Sequence, residues 1–191
     1  MPYYLPESYV PRLDNEAFDD TPNTDLWQND VYELAHQLAL AYGLGTVLDI
    51  GCGSGFKLMK FFEQFHTAGV EVEPTLSWLK ETYPDRLWLP PDEILLPYKM
   101  VICADVIEHV ADPDALLESI KRARPKRIVI STPDRSMLNC DQNGPPRNLA
   151  HRVEWSFSEF SLYMNDHFHV ISHYIANEAQ ATQVVVAEPK P

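Results

Sequence analysis

Short apolar runs alternate with amphipathic stretches from Thr46 onward, and that rhythm sets the fold. Thr46 to Ile50, Ala68 to Val72, Lys99 to Ala104 and Arg127 to Ser131 read as strands, with Arg86 to Leu89 a short one. Between them, Phe56 to Phe65 is a helix with Leu58, Met59, Phe61, Phe62 and Phe65 on one face. Pro74 to Thr82 is a second, with Pro74 suited to its first turn. Asp112 to Ala123 is a third: Asp112 can cap it, Pro113 fits the first helical position, and Leu116, Leu117 and Ile120 face the core. Ahead of the first strand, Val31, Leu34, Ala35, Leu38 and Ala41 recur at helical spacing over Asp30 to Tyr42, and Gly43 and Gly45 stop that helix. Such alternation predicts an α/β fold of three layers, αβα, built on a mostly parallel sheet.

The rest of the chain breaks the rhythm. Ser156 to Met164 reads as a helix capped by Ser156. Phe168 to Ile175 and Thr182 to Ala187 read as strands joined by a short polar segment, hence an antiparallel hairpin. Residues 1 to 25 hold prolines and acids with no period, which suits an extended arm. The chain, 1–191, therefore reads as one domain with 1–29 an N-terminal arm or lid. Tyr3, Tyr4, Tyr9, Trp27 and Tyr32 precede the core and serve either that lid or plain packing.

Composition narrows the function classes. The 191 residues are 45% hydrophobic, enough for a real core. Fifteen basic against 28 acidic residues leave a net charge of −13, which tends to repel nucleic acid and anionic membranes. The basic cluster Lys121, Arg122, Arg124, Lys126, Arg127 suits a solvated helix C-terminus. Three cysteines without a Cys-x-x-Cys pair indicate neither a disulfide framework nor a thiolate zinc site, and a reducing cytoplasm is the simplest setting. No apolar run is long enough for a membrane or a secretory signal. The expected partner is a small molecule, with nucleic acid disfavoured and the oligomeric state open.

Residues 46 to 55, TVLDIGCGSG, carry the first chemistry. A strand, a Gly-x-Gly-x-Gly turn and a helix make a ligand site at the C-terminal end of a sheet. Glycines let backbone approach a ligand closely, and the helix N-terminus favours an anionic group. Nicotinamide- and flavin-binding folds share such a loop, so two acids decide. Asp49 ends the strand, where a carboxylate suits a cationic ligand and disfavours a pyrophosphate. Glu71, in GVEVEP at the end of the next strand, can accept hydrogen bonds from both ribose hydroxyls. S-adenosylmethionine combines an amino acid, a sulfonium and a ribose.

At this point the sequence resembles the class I S-adenosylmethionine-dependent methyltransferases. VLDIGCGSG is similar to their first motif, GVEVEP to the second, CADVIEHVADPDALLESI to the segment after the fourth strand, and RIVISTPDR to the fifth strand and its exit. The resemblance covers roughly residues 45 to 175 and implies a Rossmann-like, seven-stranded sheet with its last strand antiparallel. It implies that Asp49, Gly51, Cys52, Gly53 and Gly55 lie near the methionine part of the cofactor, Glu71 and Val72 by the ribose, and Asp105 near cofactor or substrate. Many members carry an acid after the third strand near the adenine; here the region reads WLPPDEILLP, with Asp92 in it.

A second constellation follows the fourth strand. Asp105, Glu108 and His109 precede His151, which lies in RNLAHRVEWSFSEF. Small-RNA 2′-O-methyltransferases and ubiquinone-pathway O-methyltransferases carry a similar Glu-x-x-Glu-His stretch, the former also a later histidine. The resemblance implies a divalent metal, magnesium or manganese, that binds vicinal hydroxyls of the substrate. Glu108, His109 and His151 match it as ligands; Asp105 stands in place of the first glutamate. A metal lowers the pKa of a bound hydroxyl and fixes its direction. Without one, His109 or His151 is a candidate general base.

The expected function is methyl transfer from S-adenosylmethionine to a small-molecule acceptor, with oxygen the favoured atom. ISTPDR lacks the Asn-Pro-Pro-aromatic signature of base-nitrogen methylation. Three alternatives stand beside it: an RNA 2′-O-methyltransferase, a nicotinamide-binding oxidoreductase, and a noncatalytic module that keeps the cofactor fold.

Overall fold

Val47, Leu48, Asp49 and Ile50 are all buried in the first strand, as expected for a strand covered on both faces. The computed structural model describes residues 2–14, 21, 27–94 and 97–190. Its strands are β1 (Thr46–Ile50), β2 (His66–Val70), β3 (Leu87–Leu89), β4 (Met100–Ala104), β5 (Arg127–Pro133), β6 (Phe168–Asn177) and β7 (Thr182–Pro189). The helices are α1 (Asn29–Ala41), α2 (Phe56–Phe62), α3 (Thr75–Thr82), α4 (Pro113–Arg122) and α5 (Phe157–His167).

The seven strands form one sheet in the order β3-β2-β1-β4-β5-β7-β6. Pairing is parallel from β3 across to β5, and β7 runs antiparallel to both β5 and β6. Alternate residues of each strand face opposite sides, so the sheet divides the apolar interior in two. Leu48, Val101, Ile128 and Ile130 pack with Leu117 and Ile120 of α4 and with Phe160 and Tyr163 of α5. Val47, Met100, Ile102 and Val129 pack with Ala35 and Ala39 of α1, Leu58 and Phe62 of α2 and Leu79 of α3. This is the three-layer, seven-stranded, Rossmann-like α/β fold expected from the alternation.

Element ends differ in ways that matter for the site. β2 stops at Val70, so Glu71 and Val72 lie just beyond it rather than inside it. α2 stops at Phe62 rather than Phe65 and buries Lys57 beside Leu58 and Phe62, a polar intrusion on a face read as apolar. β6 runs to Asn177, with two register shifts against β7. Asp112 caps α4 as expected, accepting from the Ala115 amide at 3.0 Å with Pro113 in the first turn. Ser156 caps α5 in a reciprocal box with Glu159.

The start of the chain lies along the connection between β5 and α5. Val10 and Arg12 donate backbone hydrogen bonds to Asn143 and Arg152, at 2.7 and 2.8 Å. The Trp155 indole donates to the Tyr3 carbonyl at 2.9 Å. Residues 15–20 and 22–26, also part of the expected arm, lie outside the described residues.

Candidate active site

The chemistry-bearing segments all leave the same end of the sheet, the carboxyl ends of β1, β2, β4 and β5. The loop after β1 turns through Gly51, Gly53 and Gly55, each with positive φ. At Gly51 a Cβ would stand 2.3 Å from Val106 Cγ2, so the β1 and β4 exits touch only because that side chain is missing. At Gly55, the residue before α2, a Cβ would meet Trp88 at 2.6 Å. Cys52 turns inward against Gly69, so its backbone alone is left for a ligand.

Glu71 ties this loop to β2: its Oε1 accepts from the Gly53 amide and its Oε2 from the Val72 amide, both at 2.9 Å. Val72 itself is 59% exposed, an apolar surface beside the loop. Asp49 is fully buried, with Oδ2 held by the Tyr32 hydroxyl at 2.9 Å and Oδ1 without a hydrogen-bond partner. Burial pushes its carboxyl up to about 7, against the opposing hydrogen bond from Tyr32 and the nearby Lys57 charge. Asp92 is exposed on the turn that follows β3.

Asp105 follows β4 with φ 53, fixed by the Ser131 hydroxyl of β5, which donates to its Oδ1 at 2.6 Å. Gln28, just ahead of α1, donates to the Ala104 carbonyl at 3.1 Å. Burial raises the Asp105 carboxyl, with Ser131 and Gln28 opposing it.

Glu108, His109 and His151 meet although the last two stand 42 positions apart in the chain. One ligand atom from each lies within 4.8 Å of the others. The imidazoles of His109 and His151 stand edge to face, with centroids 4.7 Å apart. Glu108 is fully buried; Thr132 donates to its Oε2 at 2.9 Å, and Oε1 has no hydrogen-bond partner and lies 3.9 Å from His109 Nε2. Burial, reinforced by Asp105, raises the Glu108 carboxyl well above the usual carboxylate range. His109 Nδ1 faces the Ala150 carbonyl at 2.9 Å. Burial, with His151 close by, pushes His109 down to about 4, so its ring is uncharged near neutral pH.

Sequence reasoning missed the groups that hold these. Tyr32 beneath Asp49, Ser131 on Asp105 and Thr132 on Glu108 come from other elements. Asn148 and Glu154 flank His151, at 2.9 Å from Nε2 and 2.6 Å from Nδ1. The spacing of Glu154, three residues after His151, was the one available signal.

A glycine loop stapled to an acid, a buried carboxylate at the end of β1 and the reversed β7 together define a class I, S-adenosylmethionine-dependent methyltransferase. A family model described as a methyltransferase domain matches residues 21–188, and the chain belongs to that family. Among solved structures, the methyltransferase domain of a bacterial Hen1 (CtHen1-CN) is 23% identical with TM-score 0.63, over 86% of this chain and 100% of that one. The Burkholderia thailandensis 1,6-didemethyltoxoflavin-N1-methyltransferase, with bound 1,6-didemethyltoxoflavin and S-adenosylhomocysteine, is 20% identical with TM-score 0.65, over 95% and 94%. An Aquifex aeolicus SAM-dependent methyltransferase is 21% identical with TM-score 0.64, over 90% and 98%. At these identities the structures share the fold. No curated protein sequence matches the chain. The family assignment sets aside the oxidoreductase and noncatalytic readings. No described helix is long and apolar enough to cross a membrane.

Proposed function

We propose that this methyltransferase moves the methyl group of S-adenosylmethionine onto a hydroxyl oxygen of a small-molecule acceptor, and that Glu108, His109 and His151 hold a divalent cation that orients that hydroxyl. The observation that carries this is the buried, unpartnered Oε1 of Glu108 facing two imidazoles. One carboxylate and two imidazole nitrogens are a fitting donor set for manganese or magnesium.

The residues around the glycine loop support one place for the cofactor. S-adenosylmethionine supplies, when bound, an electrophilic methyl group on a positive sulfur. Asp49, with a buried oxygen left over, suits its cationic amino-acid end, and Glu71 with Val72 suits its ribose. The Gly51–Gly55 backbone gives close approach. Asp105, pinned by Ser131, lies between that region and Glu108 in the chain.

Methyl transfer is a displacement at carbon, so the chain must align the acceptor oxygen and lower the cost of its lost proton. The uncharged His109 ring suits lone-pair donation to a cation better than proton capture. The cation would supply the acidification of the hydroxyl.

Calorimetric titration with S-adenosylhomocysteine, repeated with manganese and with chelator, tests the reading. The expected result is binding of both, with manganese binding lost in His151→Ala. Product binding without manganese binding removes the cation and leaves His151 to be tested as a base. Failure to bind the product overturns the cofactor site.

Likeness to the bacterial Hen1 domain favours a second reading, methylation of an RNA 2′-hydroxyl. The net charge of −13 weighs against it, since phosphate contacts dominate RNA affinity. Salt-dependent RNA binding near physiological ionic strength would support that second reading.

A further inference from the structure

His151 is held by two side chains whose own partners leave one tautomer. The Ala150 amide donates to Asn148 Oδ1 at 3.0 Å, which fixes the Asn148 amide. Its Nδ2 therefore faces His151 Nε2 at 2.9 Å, and an amide nitrogen only donates. Nε2 accepts, so the ring proton sits on Nδ1 and is donated to Glu154 Oε1 at 2.6 Å.

Glu154 is itself built in. It is 1% exposed, and its Oε2 is buried without a hydrogen-bond partner. Its amide donates to the Tyr9 hydroxyl at 2.9 Å, and its carbonyl accepts from Arg135 Nη1 at 2.5 Å. Arg135 is locked in turn by both oxygens of Glu159, at 2.7 and 2.8 Å, and lies over the Tyr9 ring at 4.7 Å. Burying a carboxylate is costly, and a hydrophobic residue would pack the spot with less loss. Orienting His151 gives the buried acid a purpose. Asn148, by contrast, is exposed and can turn away from Nε2 when another partner arrives.

We infer that Glu154 is the positioning residue of this site: it fixes His151 as the Nδ1–H tautomer and leaves the Nε2 lone pair to face an incoming cation. A second carboxylate behind a ligating imidazole sets its orientation and basicity. The inference deepens the cation-site reading and rests on it only for the consequence at the cation.

The test uses the full chain with ¹⁵N-labelled histidine. Long-range ¹H–¹⁵N correlation spectra are recorded without metal at neutral pH, and His151→Gln identifies the signals. Wild type should show a protonated Nδ1 and a bare Nε2 at His151. Asn148→Ala, which removes the donor at Nε2, should keep the Nδ1–H tautomer through Glu154 alone. Glu154→Ala in that background should move the proton to Nε2 and weaken manganese binding by roughly 10–100-fold. Glu154→Gln keeps an acceptor oxygen without the charge, so it should keep the tautomer with a smaller loss of affinity. If Glu154→Ala does not fold, Glu154→Gln carries the test. An Nε2–H His151 in wild type or in Asn148→Ala, an unchanged tautomer when Glu154→Ala is added to Asn148→Ala, or manganese affinity equal to wild type in the Glu154 variants overturns the inference. If wild type takes no manganese, the cation reading falls while the tautomer spectra still decide the role of Glu154.

Discussion

The Tyr32 phenol donates to Asp49 Oδ2 across 2.9 Å, joining α1 to the first strand of the sheet. Neither side chain reaches solvent, and the other Asp49 oxygen has no hydrogen-bond partner. This single bond lies at the end of β1, next to the glycine loop, and two expectations come from it.

Asp49 is pushed up to about 7 by burial, against about 4 for an exposed aspartate. A carboxyl whose folded pKa is raised contributes stability that is complete below the unfolded value and lost as pH rises through the folded one. Asp49 is therefore expected to withdraw stability between about pH 4 and 7, while His109, pushed down to about 4, adds it over much of that range; the wild-type profile minus that of Asp49→Asn should isolate the Asp49 loss. The ammonium group of S-adenosylhomocysteine favours the ionised form, so binding should release close to one proton at about pH 6 and far less at about pH 8. Calorimetry in two buffers of different ionisation enthalpy measures this; equal proton release at both pH values would exclude Asp49.

Tyr32→Phe removes the bond that opposes the burial effect. The Asp49 carboxyl should rise further, and the proton release should persist at higher pH. Leaving a buried acceptor unmet should cost about 1–3 kcal/mol, read from urea melts at pH 8.

Gly51→Ala puts a methyl group 2.3 Å from Val106 Cγ2 at a backbone with φ 71. Strain and overlap together should cost about 3 kcal/mol. Cofactor affinity should fall with it. Adding Val106→Ala should restore the part due to overlap and leave the part due to backbone strain, which a double-mutant cycle separates.

Arg135 and Glu159 form a mostly buried pair, with side-chain exposures of 4% and 14%. Glu159→Ala strands the guanidinium and removes the Glu159 half of the α5 capping box, so about 3 kcal/mol should be lost in chemical denaturation. Asp112→Ala removes a cap alone and should cost about 1 kcal/mol.

What the sequence disclosed was local or periodic. The strand alternation, the Asp112–Pro113 start of α4 and the Ser156 cap depend on neighbours a few residues away, and the structure keeps them. The hairpin of β6 and β7 was legible for the same reason, its two runs being close in the chain. Lys57 was read as outside the apolar face because periodicity carries no information about which acids lie across from it. Glu71 was placed inside a strand because GVEVEP reads as one continuous run; its two hydrogen bonds to loop amides depend on where Gly53 comes to rest. His151 was found by resemblance alone. The acid behind it lay in plain view at Glu154, but its burial depends on Tyr9 and Arg135, whose approach no local pattern encodes.

β7 is inserted between β5 and β6, and its first six residues are buried. The strand that comes later in the chain is thus interior to the sheet, while β6, made before it, waits at the rim. On the ribosome, β6 has no sheet to join until residues 182–189 have emerged to bridge it to β5. A nascent chain halted between the two strands leaves the β5 edge unpaired, and the sheet is complete only when residues 182–189 pair with β5 and carry β6 to the rim.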